Sequence, residues 1–561
     1  MPCGIDTVVP QEIWAGIFTY MDDKSIHATS RTCRTFRHIV CAHVKRPLTV
    51  GDSYFAKLIS HTATMDPQRR AHIINAWAQN MWRISALVLP TTIKRCRFAH
   101  EPCAGKAHFN TLSEMIYALA AANKLKTTDQ LALGPWAHTW DKLRALAPGA
   151  PCAQHISVYD IDDADTCCHT NGAILHPNQP NNTDGTNRTD PEITPFLRAT
   201  SITIQFSKGN CASIQTMCRL FPNAQRVVVR GRFPPDAHGR HPLRALATLR
   251  HMTHFVVDQD DTMDGRATHI DQITLGEIFQ TNRHLTHLEV TNSLKLAGLP
   301  GAPGHRPGDM AAAAATVPPG ALVFRTQVPL AITPATSLPS TLTHFNVENA
   351  VFLTDEAVAV LCAQCTQMEA INLIGCVYLT DNALKYIGNS LAKTLTKLAV
   401  GSIDFTPAGI STGIGPLTNL KQLEFNFEKA DNMTHASLTN RVDFDIKSFM
   451  QTATFAPTLE HLTLTSIDVQ TMSMLSLAQT CPRIQHIALK YVAVNIQHTY
   501  EYTTLCLMIQ RMTMLKHIEI LFANETPATA RQMINHYTAT KGHCKQAPII
   551  VFPLMGITAQ L

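Results

Sequence analysis

Leu342-Thr-His-Phe345-Asn-Val347 followed by Leu353-Thr-Asp355, then Met368-Glu-Ala-Ile371-Asn-Leu373-Ile-Gly-Cys376 followed by Leu379-Thr-Asp381, then Leu395-Thr-Lys-Leu398-Ala-Val400, decide the fold. The two Leu-Thr-Asp triplets start 26 residues apart. Each line reads as a short apolar strand, a turn and the start of a short helix. One such unit cannot bury its own apolar face, so it needs a like neighbour on each side. The stretch therefore predicts a solenoid, with more units up and down the chain.

Working outward, the pattern apolar-x-x-apolar-x-apolar recurs with its central residue at Ile156, Ile202, Val227, Phe255, Leu288, Phe345, Ile371, Leu398, Leu423, Leu462, Ile487 and Ile518. From Phe255 the spacings are 33, 57, 26, 27, 25, 39, 25 and 31, so values near 26 mark single repeats. The gap of 57 holds an extra unit or an insertion. It contains a Pro/Gly-rich run over 296–309, an alanine run over 311–315 and a possible strand, Ala321-Leu-Val-Phe324. Polar insertions are also expected over 169–195 and, more briefly, near 428–440. Upstream, Ile84-Ser-Ala-Leu87-Val-Leu89 and Leu131-Ala-Leu133 suggest irregular first units, with a helix over 111–122, because terminal repeats are atypical. Gly375-Cys376 with Leu379-Thr-Asp381 resembles the cysteine-containing class of leucine-rich repeats. Under that resemblance Cys365 and Cys481 close the helices that precede their strands.

The first 44 residues carry a different pattern. Pro10 suits the first turn of a helix, where its missing N–H costs nothing. Ile13 and Ile17 share one helical face beside Phe18 and Met21. Asp22, Asp23 and Ser25 can cap a second helix carrying Ile26, and a third carries Cys33, Phe36, Ile39 and Val40. So small a core leaves apolar surface for a partner to cover. The run Val9-Pro-Gln-Glu-Ile-Trp-Ala-Gly-Ile-Phe-Thr-Tyr-Met21, with Ser30-Arg-Thr-Cys33-Arg-Thr-Phe36, resembles an F-box. It departs from the common pattern at Val9 (usually Leu), Arg31 (usually apolar) and Phe36 (usually Trp). Members of the F-box family dock on a Skp-family adaptor and so join a cullin–RING ubiquitin ligase, and many carry this class of repeat. The resemblance implies an adaptor-binding face including Val9, Pro10, Ile13, Ile17, Ile26 and Phe36. The expected fold is α/β, a leucine-rich-repeat solenoid (horseshoe) with a small N-terminal all-α F-box. Its expected domains are the F-box over 1–48, irregular repeats or a cap over 49–150, and the main array over 151–561 with loop insertions near 169–195 and 296–320.

In such strands the residues between the inward apolar positions face the concave side. Those positions hold Glu289, Asn346, Glu348, Asn372, Glu424 and Asn426, an acidic and amide-bearing set suited to a basic segment of a protein substrate. Just before the central apolar residue stand His155, His254, His287, His344, His461, His486 and His517, in a row interrupted by Ala370, Lys397 and Gln422. A metal site needs imidazoles converging on one ion, and the row is read as a habit of these strands, with no metal or cofactor expected. Cys362-Ala-Gln-Cys365 sits where repeats bury their thiols, so it is read as packing, and Cys167-Cys168-His169 lacks a second ligand pair.

Catalytic signatures are missing: no Gly-x-Ser-x-Gly, Walker loop, dinucleotide fingerprint or His-Glu-x-x-His occurs. With a net charge of only +5 and 16% charged residues, the chain lacks the basic footprint of a nucleic-acid binder. No apolar run of membrane-spanning length and no leader-like N-terminus appear, so a cytoplasmic or nuclear protein with reduced thiols is expected. The expected role is non-catalytic: a receptor that binds a Skp-family adaptor through the F-box and a substrate through the repeats, for ubiquitination and proteasomal degradation. A scaffold of leucine-rich repeats without ligase role is the alternative.

Overall fold

Alternation builds the strands. In β10 (Ala370–Ile374) and β12 (Gln422–Asn426) every second side chain is buried and those between are partly exposed. Here and below we use a computed structural model, which describes residues 17–18, 21, 25–26, 36, 38–40, 44–49, 59, 61–81, 83–89, 102–134, 140–162, 195–233, 236, 240–260, 270, 272–293, 338–348, 353–376, 378–401, 405–426, 446–465, 471–492, 507–522, 549–552 and 557–560. Val9, Pro10, Ile13, the expected insertions over 169–194, 296–320 and 428–440, the Cys167-Cys168-His169 triplet and the segment 321–324 lie outside these residues.

Two units divide the chain, residues 1–252 and 253–561. In the first, β1 (Lys45–Thr49), β2 (Arg83–Val88), β3 (Gln130–Gly134), β4 (His155–Asp162), β5 (Ser201–Lys208) and β6 (Arg226–Gly231) pair in chain order, all parallel. Helices α1 (Pro67–Gln79), α2 (Pro102–Ala121), α3 (Trp140–Leu146) and α4 (Cys211–Leu220) lie between them in sequence. Asp66 caps α1 by accepting from Arg69 N at 2.9 Å. Arg70 of α1 grips Glu114 of α2 through two bonds of 2.8 Å.

The second unit continues the same architecture. It runs β7 (His254–Asp260), β8 (His287–Ser293), β9 (His344–Glu348), β10, β11 (Lys397–Gly401), β12, β13 (His461–Thr465), β14 (His486–Val492), β15 (His517–Phe522) and β16 (Ile549–Phe552). These also pair in parallel and in chain order. An antiparallel β17 (Ile557–Gln560) covers the last edge, which blunts it against stray pairing. Helices α5 (Gln272–Thr281), α6 (Asp355–Gln364), α7 (Asp381–Leu391), α8 (Pro407–Ile414), α9 (Ile446–Thr452) and α10 (Thr471–Thr480) alternate with the strands. All twelve apolar centres read from the sequence occupy the second position of β4 to β15. Because β8 pairs directly with β9, no repeat stands between them, and the 57-residue gap is an insertion.

Hydrogen bonds fix the repeat-to-repeat step. One carbonyl at each strand entrance accepts two consecutive N–H groups of the next repeat: Thr286 and His287 donate to Thr253 O, Thr343 and His344 to Thr286 O, and Thr396 and Lys397 to Glu369 O. The Leu-Thr-Asp triplets form a second ladder on the helix side. Thr354 caps α6 and Thr380 caps α7. Asp355 accepts from Thr380 N at 2.9 Å and from its hydroxyl, and Asp381 accepts from Thr406 N at 2.8 Å and its hydroxyl at 2.6 Å. The hydroxyls of Thr380 and Thr406 thus donate to the preceding repeat while accepting from their own helices. The buried thiols join the same scheme: Cys365 donates to Pro339 O at 3.4 Å and Cys376 to Val347 O at 3.2 Å.

Candidate functional site

Two surfaces carry the expected binding residues. In the N-terminal module Phe18, Ile26, Ile39 and Val40 are buried, and Phe36, partly exposed, meets Phe18 edge to face with ring centroids 5.5 Å apart. Arg46 at the head of the ladder donates to Met21 O at 2.6 Å, tying the module to β1. Ile17 is 44% exposed. Ile26 is 0% exposed, which corrects its place in the expected adaptor face: a side chain spent on the module's own core offers no area to a partner.

On the sheet of the second unit, Glu289, Asn346 and Asn372 stand side by side on β8, β9 and β10, and the same row continues through Ala399 to Glu424 and Thr463. Glu348 and Asn426 belong to the next row along the strands, paired with Thr291 and Thr465. Asn372 Oδ1 accepts from Ile374 N at 3.0 Å, so part of its polar capacity holds the strand end. Asn346 Oδ1 is occluded and has no hydrogen-bond partner.

The histidines form the most ordered feature of this face. His254 and His287 stack with centroids 4.0 Å apart and planes 16° off parallel, and His287 and His344 do so at 4.0 Å and 15°. A second stack joins His461 to His486 at 4.4 Å and 7°, with His517 tilted behind at 5.9 Å. Ala370, Lys397 and Gln422 separate the two stacks in the same row. Preceding threonines latch the first stack: the hydroxyls of Thr253, Thr286 and Thr343 lie 2.9 Å from Nδ1 of His254, His287 and His344. Thr286 and Thr343 also donate to Thr253 O at 3.1 Å and Thr286 O at 3.2 Å. A hydroxyl has one proton, so where Thr286 or Thr343 gives it to the carbonyl, Nδ1 of the next histidine is the donor, and a neutral ring then keeps Nε2 as an acceptor. Burial lowers the pKa of His344 and His461. It also lowers that of His486, helped by the neighbouring His461 and His517. Parallel rings aim their lone pairs side by side, and among the described residues no group of three or more His, Cys, Asp and Glu could hold a metal. Sequence reading found the row. The stacking and the Thr-His latch escaped it, although the dipeptide recurs at 253, 286 and 343.

Four buried thiols are poor nucleophiles. Burial pushes Cys362 and Cys365 up to about 12, and Cys218 and Cys481 up to about 11. No described helix is long and apolar enough to cross a membrane.

Residues 9–46 match the F-box domain. No curated protein matches the chain. Among solved structures, the complex of Rad7 and Elc1 in yeast is similar over 75% of this chain and 86% of that one, at 14% identity and a TM-score of 0.39. The complex of TLR13 with ssRNA13 is similar over 78% of this chain and 52% of that one, at 12% identity and 0.34. A protein from Bacteroides fragilis is similar over 56% and 73%, at 10% and 0.30. The chain thus carries an F-box domain ahead of the strand-and-helix repeats described above.

Proposed function

We propose that this chain is the substrate-recognition subunit of an SCF-type cullin–RING ubiquitin ligase. The observation that carries the reading is the F-box domain at residues 9–46, on which Ile17 presents an exposed apolar side chain. In this reading the F-box holds a Skp-family adaptor through Ile17 with Val9, Pro10, Ile13 and the outer edge of Phe36. The repeats hold a protein substrate along the rows that contain Glu289, Asn346, Glu348, Asn372, Glu424 and Asn426. The chain forms no covalent bond to the substrate itself. It raises the local concentration of a substrate lysine near a charged conjugating enzyme, leading to proteasomal degradation. The high thiol pKa values support this non-catalytic role, because a ubiquitin-carrying cysteine needs an accessible thiolate. The proposed setting is the cytoplasm or nucleus.

The test is co-expression of the full chain with a Skp-family adaptor, followed by size-exclusion chromatography. The wild-type chain co-elutes with the adaptor, and Ile17→Asp abolishes co-elution while circular dichroism is unchanged. A well-folded wild-type chain that elutes alone would establish the scaffold reading instead.

A further inference from the structure

We propose that the solvent side of the second unit's sheet is an acceptor strip for an extended, lysine- or arginine-bearing segment, and that proton uptake by His344, His461 and His486 in its two imidazole stacks releases that segment. The inference rests on the substrate-receptor reading and names the class of segment the repeats take.

The acceptors come from two sources. With the Thr343 hydroxyl donating to Thr286 O, His344 carries its proton on Nδ1, which leaves Nε2 as an acceptor, and no described residue bonds to Nε2 of His344. The carboxylates of Glu289, Glu424 and Glu519 occupy the adjoining row. The charge of the whole unit points the same way: residues 253–561 hold 24 Asp and Glu against 19 Lys and Arg, whereas residues 1–252 hold 18 against 28. A segment rich in N–H donors and positive charge complements this face, and an anionic one does not.

The charged groups around the stacks set the direction of the switch. Glu369 and Lys397 act on His344. Glu460, Lys397 and Lys516 act on His461, and His461, His517 and Lys516 on His486. Two further lysines are paired with carboxylates, Lys421 with Glu460 at 3.8 Å and Lys490 with Glu519 at 3.9 Å. Lys516 donates to Gln485 at 2.8 Å. Burial outweighs Glu369 and Glu460, so His344, His461 and His486 are neutral at pH 7 and take up protons below the ordinary imidazole value of about 6.5. Each uptake turns an acceptor into a cationic donor beside a parallel ring, at a pH where the glutamates remain ionised. The strip then repels what it held.

The test uses the folded full chain and two fluorescein-labelled twelve-residue peptides, one alternating Lys with Ser and the other Glu with Ser. Anisotropy titrations run at low salt at pH 7.5, 6.5 and 5.5. The Lys-Ser peptide binds at pH 7.5, and its Kd rises about ten-fold by pH 5.5, while the Glu-Ser peptide does not bind at pH 7.5. In His461→Gln/His486→Gln/His517→Gln, whose fold is checked by circular dichroism, the rise is under about three-fold. An equal rise in that variant, pH-independent binding, preference for the Glu-Ser peptide, or no Lys-Ser binding at pH 7.5 overturns the proposal. Adaptor co-elution is measured on the same preparations. Its loss alone sinks the ligase reading, and loss of peptide binding alone sinks this one.

Discussion

At the scale of single residues, burial decides which side chains can react or bind. The thiols of Cys362, Cys365 and Cys481 sit where the chain turns from helix towards strand, 0% to 1% exposed. With pKa values pushed up to about 12, about 12 and about 11, they stay protonated at neutral pH. Iodoacetamide at pH 7.5 is expected to spare all three in the native chain and to modify them once guanidinium unfolds it, with partly exposed Cys152 labelled before them. Peptide mass mapping reads the order. Fast native labelling of a repeat thiol would contradict this order and point to an activated cysteine. Burial also explains the error at Ile26. Helical spacing shows which residues share a face, but two faces of a three-helix module look alike in sequence, and only packing tells the inner from the outer.

At the scale of elements, the repeat is held by a cap that belongs to two helices at once. Thr380 starts α7, and its N–H and hydroxyl both bond to Asp355 of the preceding repeat. Thr380→Ala should therefore cost more than an ordinary cap, about 2 kcal/mol, by urea unfolding. Packing between α7 and α8 is equally demanding: a Cβ on Gly388 would fall inside the Gly413 carbonyl oxygen. In the same assay Gly388→Ala is expected to lose about 3 kcal/mol or more. A loss under about 0.5 kcal/mol for either substitution would contradict the ladder and the close contact. The Leu-Thr-Asp period announced this element in the sequence, since a cap shared between neighbours must recur at the repeat length. β1 was hidden because Lys-Arg-Pro-Leu-Thr offers one buried apolar residue, Leu48, and is recruited by its pairing with β2.

At the scale of the whole molecule, period and register divide what sequence could show. Apolar centres such as Phe345, Ile371 and Leu398 reveal themselves because each strand must bury alternate residues. Which polar residues become neighbours depends on pairing between strands that the chain separates by up to 57 residues, so the split of Glu289, Asn346 and Asn372 from Glu348 and Asn426 became visible only in the sheet. Direct pairing of β8 with β9 also means that no strand comes between them in the sheet. Deleting residues 296–320 should shift the melting temperature by less than about 2 °C, because shortening a long connection changes closure entropy only slightly. Differential scanning fluorimetry measures it, and a large drop would show that the insertion braces the repeats.

The interruption of the histidine row sets a length. From His344 to His461 the row crosses four strand steps, about 19 Å at about 4.8 Å each, or about six residues of extended chain at about 3.3 Å per residue. A partner engaging both stacks is thus bivalent, with two basic clusters roughly six residues apart. Each weak contact would then raise the effective concentration of the other, and a partner with one cluster, or with a shorter spacer, would lose that avidity without losing any individual contact.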